Sequence, residues 1–121
     1  MAPDAIQIRL TGLPPSPNAI KSVRQKMSVK KEWRDMAYWL AKEIALKSRL
    51  EPFEHAYVHF HISTGDNRTH DADNLNWAVT KPTLDGIKGV LIQDDSIDHI
   101  ELSYTYDREK PRGFSVTVAE A

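Results

Sequence analysis

The chain has 121 residues, of which 40% are hydrophobic and 27% charged, with a net charge of −1 and no cysteine. That length suits one domain, the composition is that of a folded soluble chain, and the missing cysteine excludes a disulfide framework, a thiolate metal site and a cysteine nucleophile. No apolar run approaches the ~20 residues of a membrane helix, and the start, MAPDAIQIRL, lacks the layout of a signal peptide, so a single domain over residues 1–121, no membrane partner and a cytoplasmic location are expected.

Ile6, Ile8 and Leu10 alternate with Gln7, Arg9 and Thr11, the period of a strand buried on one face. The prolines of LPPSPN (Leu13 to Asn18) end it in a loop. From Val29, the residues Trp33, Met36, Ala37, Leu40, Ala41 and Ile44 recur at helical spacing, with Ser28 placed to cap and Pro52 beyond the end. Trp33 and Trp39 belong to the core and flank of this helix. Val58, Phe60 and Ile62 alternate with Tyr57, His59 and His61 in a second strand, whose histidines fall on the face away from the apolar side. The loop STGDNRTH then leads to a helix capped by Asp73, carrying Leu75, Val79, Leu84 and Ile87, interrupted near Pro82 and ended by Gly89. Ile100, Leu102, Tyr104 and Tyr106 make a third alternating run, Phe114, Val116 and Val118 a fourth, and KPRG between them has the composition of a hairpin turn. The order β-α-β-α-β-β predicts an α+β fold, one mixed or antiparallel sheet of about four strands with two helices.

Charge is unevenly placed. Between Lys21 and Arg34 there are six basic residues and one acid, a local charge of +5 that suits a phosphate backbone; Lys21, Arg24, Lys26, Lys30 and Lys31 are the candidate DNA contacts. Between Asp71 and Glu101 there are seven acids and only Lys81 and Lys88. Asp71 and Asp73 stand where a loop meets a helix start, and Asp94 and Asp95 follow the helix. Hard cations such as Mg²⁺ and Mn²⁺ take oxygen ligands, and four carboxylates supplied by different elements would suffice for one or two ions. Either pair alone is more often a helix cap or a turn than a metal site.

The string HDADNLNWAVTKPTLDGIKGVLIQDDSIDHI, from His70 to Ile100, is more specific. It resembles the RusA family of Holliday-junction resolvases, in which a D-x-D-N-L start is followed by a lysine, an aspartate four residues beyond it, a glycine-containing connection and a closing D-D. Those elements are here Asp71, Asp73, Asn74 and Leu75, then Lys81 and Asp85, then Gly89, then Asp94 and Asp95. In the compact form of the motif the lysine lies four residues after the second aspartate, where this chain has Trp77; counting back from Asp85 selects Lys81, with four extra residues before it. The resemblance implies a homodimer that resolves four-way DNA junctions by paired cuts, with Mg²⁺ or Mn²⁺ held by Asp71, Asp73, Asp94 and Asp95. Asp71, Asp73, Asp95 and Lys81 would carry catalysis. For Lys81 to approach the carboxylates, the extra residues would bulge and the helix restart near Thr80, with Pro82 in its first turn; Lys88 lies on the same helix outside the motif. A nuclease for flaps or other branched DNA, and a non-catalytic DNA-binding module that keeps the fold, are the alternatives.

Overall fold

The computed structural model describes residues 5–15 and 22–121; Lys21, counted among the basic candidates, and the Ser16 to Asn18 part of the proline loop lie outside them. In chain order the elements are β1 (Ala5–Thr11), α1 (Val23–Ser48), β2 (Ala56–Ser63), α2 (Ala72–Ile87), β3 (Ile100–Asp107) and β4 (Gly113–Glu120). This is the expected β-α-β-α-β-β order, and the sheet is mixed. Its strands lie in the order β1-β4-β2-β3, with β2 parallel to β3 and antiparallel to β4, and β4 antiparallel to β1.

The hairpin expected at KPRG does not form, because β2 lies between β3 and β4. The reason is burial. Val58, Phe60 and Ile62 are fully buried, and a strand this apolar on its inner face gains most at the centre of the sheet, flanked on both sides. β2, α2 and β3 then form a strand-helix-strand crossover, the connection that adjacent parallel strands require.

The inner-face residues of the sheet form one cluster with Ala37 and Ala41 of α1 and Val79, Leu84 and Ile87 of α2. The outer face is polar. There His59 Nδ1 lies 2.6 Å from Ser103 Oγ, Thr105 Oγ1 bridges His59 Nε2 at 2.9 Å and His61 Nδ1 at 2.6 Å, and His61 Nε2 lies 2.6 Å from Asp107 Oδ2. The histidine next to Asp107 holds its carboxyl below the usual aspartate range, helped by the Glu109 N–H.

Both helices start earlier than expected. α1 begins at Val23, capped by Ser22, whose hydroxyl oxygen accepts from the Gln25 N–H at 3.2 Å; Ser28 lies inside the helix. The opening turns expose Val23 and Met27 and so carry no apolar periodicity, while Arg24, Gln25 and Lys26 are sound helix formers. The basic candidates Arg24, Lys26, Lys30 and Lys31 are therefore helical residues. α2 is capped at Asp71, with Asp73 in its first turn.

No restart occurs near Thr80 either. α2 runs through Pro82 without a break, and Thr80 hydrogen-bonds the Tyr104 hydroxyl at 2.6 Å instead of capping. A proline inside a helix costs ~3 kcal/mol, but here Ala78, Val79, Pro82, Thr83, Leu84 and Ile87 are all buried, and that packing offsets the lost bond. Thr83 adds a hydroxyl bond to the Val79 carbonyl at 2.8 Å.

The two helices cross where Gly86 meets α1: a Cβ built there would lie 2.5 Å from the Arg34 carbonyl oxygen and 3.0 Å from the Ala37 Cβ. Backbone cannot yield as a flexible side chain can. Gly86→Val is therefore expected to lower stability by roughly 1–3 kcal/mol, the range for overpacking a filled contact. A urea titration measures this, and an unchanged midpoint would mean that the helices do not approach so closely.

Candidate active site

The loop after β2 and the start of α2 deliver Asp71 and Asp73. Asp71 caps the helix through its backbone, its carbonyl accepting from the Leu75 N–H at 3.0 Å, which leaves its carboxylate exposed. Asn74 holds both acids in place: its side-chain amide donates to Asp71 Oδ2 at 3.5 Å and its backbone N–H to Asp73 Oδ1 at 3.0 Å. Beside this pair lies a cavity of about 220 Å³ lined by Arg68, His70, Tyr106, Asp107 and Arg108, among others. Arg108 donates to the Arg68 carbonyl at 2.8 Å, and His70 lies 2.8 Å from Asp66, whose carboxyl it holds below the ordinary range. These basic side chains around the Asp71 end were not singled out from the sequence, because two arginines forty residues apart give no local signal.

Asp94 and Asp95 are placed by the segment after α2. Gly89, at φ +80°, turns the chain away from the helix, and Val90, Leu91 and Ile92 are buried. The strand-like pairing of Phe53 with this segment, Phe53 N–H to Leu91 O at 2.8 Å and Gln93 N–H to Phe53 O at 3.0 Å, anchors the turn that follows. There Lys88 Nζ lies 3.1 Å from Asp94 and 3.5 Å from Asp95. Lys81 Nζ lies 3.9 Å from Asp95 and 3.0 Å from Asp85, and Lys30 of α1 reaches the other Asp85 oxygen at 3.6 Å. Six side chains thus alternate in charge: Lys30, Asp85, Lys81, Asp95, Lys88, Asp94.

Lys81 accordingly meets Asp85 and Asp95, without any bulge in α2, and it meets neither Asp71 nor Asp73. Ten residues of helix separate Asp71 from Lys81, about 15 Å along the axis. The expected convergence of Asp71, Asp73, Asp94 and Asp95 is not observed: among the described residues, no three acidic, histidine or cysteine side chains group as metal ligands. Lys88, expected to lie outside the motif, meets its closing aspartates. Its spacing from Asp94 in the sequence carries no signature, since the contact depends on the turn at Gly89.

The donor chemistry of the two pairs differs in consequence. Among the described residues Asp71 and Asp73 have no ion-pair partner, so their oxygens suit a hard divalent cation, whereas Asp94 and Asp95 are neutralised by ammonium groups. Of the basic candidates, Lys26 and Lys30 line a cleft with Lys81, while Arg24 and Lys31 are exposed on the first turns of α1. No described helix is long and apolar enough to cross a membrane.

The Lys88 ammonium, first of several hydrogen bonds to it, holds the Asp94 carboxyl below the ordinary aspartate range, and Asp94 first, then Asp95, raises Lys88. For the depressed Asp94, the stability gained is present above the unfolded-state value and is lost as pH falls through the lower folded value; for the raised Lys88 it is lost only as pH rises through its folded value. Lys88→Met is expected to move the Asp94 titration upward toward the ordinary value. Carboxyl-carbon NMR across the acid range reads this directly, and an unmoved titration would detach Lys88 from the cluster. The chain matches no protein-family model and no curated protein.

Proposed function

We propose that the chain is a RusA-type endodeoxyribonuclease that cuts four-way DNA junctions as a homodimer, with Mg²⁺ or Mn²⁺. The observation that supports it best is that the lysine, the aspartate four residues on and the closing aspartate of the motif meet in space, with Lys81 3.0 Å from Asp85 and 3.9 Å from Asp95. Asp85 lies one helical turn from Lys81, but Asp95 comes from the turn beyond Gly89, so the contact joins two separate segments as a reaction centre does. A divalent ion, when bound, supplies Lewis-acid stabilisation and a water of lowered pKa. Asp71 and Asp73 are the residues to hold it. Lys81 and Lys88 would place positive charge at a phosphodiester, and Arg68 and Arg108, which line the cavity at Ala72, would meet the flanking backbone. Two opposed cuts in a junction of near two-fold symmetry call for two copies of the site.

One observation favours a second reading. Asp94 and Asp95 are occupied by lysines, and the carboxylates do not assemble as a group of three, which suits a DNA-binding module without cleavage. The readings separate on incubating the purified chain with labelled four-way junction, flap and linear duplex, with Mg²⁺ or with chelator. Metal-dependent paired cuts in the junction are expected, with a dimer by light scattering. Asp71→Asn and Asp73→Asn should each abolish cleavage and leave junction binding largely intact, because a neutral amide oxygen holds Mg²⁺ less well. Lys81→Ala should slow the cut by about 10² with little change in affinity, as loss of a transition-state contact does. Binding without any cut, in either metal, would leave the non-catalytic module standing.

A further inference from the structure

Between α1 and α2 lies a cleft of about 160 Å³ whose walls include Trp33, Trp77 and three prolines, together with the lysines Lys26, Lys30 and Lys81. Among the described residues no acid lines it. Lys26, Lys30 and Trp33 follow one another at four- and three-residue spacing on α1, and Trp77 and Lys81 at four-residue spacing on α2, so each helix turns one face to the cleft. The two tryptophans differ in role. Trp33 packs against the core, its ring centroid 6.1 Å from that of Phe114, whereas Trp77 is 62% exposed. A large indole left in water beside three ammonium groups contributes little to folding. It gains from a ligand that covers its face.

The ligand must satisfy both features. An apolar peptide side chain would cover the indole and leave unmatched Lys26, which has no carboxylate partner among the described residues, whereas Lys30 and Lys81 already share Asp85; a free phosphate would match the cations and leave the rings bare. A nucleotide does both, because a base stacks on an aromatic face while the adjoining phosphates meet cations. The volume is well below the roughly 300–1,000 Å³ of pockets that enclose a drug-sized ligand, so there is room for one ring system only. A base inside a duplex cannot enter, since both its faces are stacked. A base that is single-stranded, or turned out of its stack, can.

We propose that this cleft holds one unpaired base of single-stranded DNA, stacked on Trp77, with the flanking phosphates on Lys26 and Lys30. The assignment of DNA as the ligand rests on the nuclease reading; the stacking does not depend on the carboxylates. It links recognition to the candidate site, because Lys30 and Lys81 share Asp85, at 3.6 and 3.0 Å. A base seated in the cleft therefore brings the next phosphodiester to Lys81.

The test uses the full chain in chelator, so that nothing is cut, and compares a labelled thymidine oligomer with an abasic oligomer of equal length by anisotropy. The wild type is expected to bind the thymidine oligomer at least about fivefold more tightly, the low end of what stacking one base contributes. Trp77→Leu should remove that preference and leave the abasic affinity unchanged, Trp77→Phe should keep most of it, and Trp39→Leu, another exposed indole, should have no effect. Equal affinity for the two oligomers, or a preference that survives Trp77→Leu, would overturn base stacking while leaving the nuclease reading intact. An RNA oligomer preferred over its DNA counterpart would overturn the choice of ligand. Failure to bind either oligomer and the four-way junction would overturn the inference and the nuclease reading together.

Discussion

The arrangement of charged and aromatic groups depends on one contact, the crossing of α2 over α1 at Gly86. With no Cβ at that position, the backbone of α2 rests against the Arg34 carbonyl and beside Ala37, and the neighbouring Ala41 is fully buried. Small residues on both sides set not only the distance between the helices but also their register along each other. Asp85, one residue before the contact, then faces Lys30, one turn before Arg34, at 3.6 Å. Trp33 and Trp77 come to line the same cleft for the same reason. Any residue that pushed the helices apart here would loosen the salt-bridge chain and open the cleft at once, although it touches neither.

The alternating chain from Lys30 to Asp94 cannot be understood as a stabilising device. Its members are partly exposed, and pairs of that kind contribute little, since solvent screens the attraction and side-chain entropy opposes it. What the chain does provide is exchangeable charge. Each ammonium has a carboxylate partner whose place an incoming phosphate can take, and each carboxylate has an ammonium whose place a cation can take, without any charge being stranded in a dry interior. Buried equivalents would hold their geometry more firmly and exchange partners at far greater cost.

Much of this was legible in the sequence where a local period coincides with burial. Ile6, Ile8 and Leu10, then Val58, Phe60 and Ile62, then Phe114, Val116 and Val118 all alternate and all point into the core. Partner choice was not legible, because a strand's own pattern does not state its neighbour, and KPRG has the composition of a hairpin turn whether or not its flanking strands pair. The first turns of α1 escaped for the opposite reason: they are helical without being amphipathic toward the core. Pro82 misled because its local cost is real, while the packing that outweighs it comes from residues distant in sequence. The Lys81–Asp85 contact was legible from their four-residue spacing, but the grouping of Lys81 with Asp95 apart from Asp71 and Asp73 was not, nor was that of Lys88, as only the turn at Gly89 brings it to Asp94.

The unbroken α2 constrains how its two ends can cooperate. Along one strand of duplex DNA, phosphates recur at about 3.4 Å along the axis, so a separation of about 15 Å between Asp71 and Lys81 would span several of them. On a rigid helix, the acidic pair and the lysine would address different phosphates. Side chains on a helix lean toward its N-terminus, so Asp85 leans back over the turn that carries Lys81 and holds its ammonium at 3.0 Å. On the nuclease reading, a phosphate that drew Lys81 from Asp85 would let the ammonium swing back along the helix, shortening the gap to Asp71 without moving the backbone. On that reading the pairing with Asp85 is the ammonium's position before substrate, and an unbroken α2 is compatible with a site whose parts meet only around the substrate.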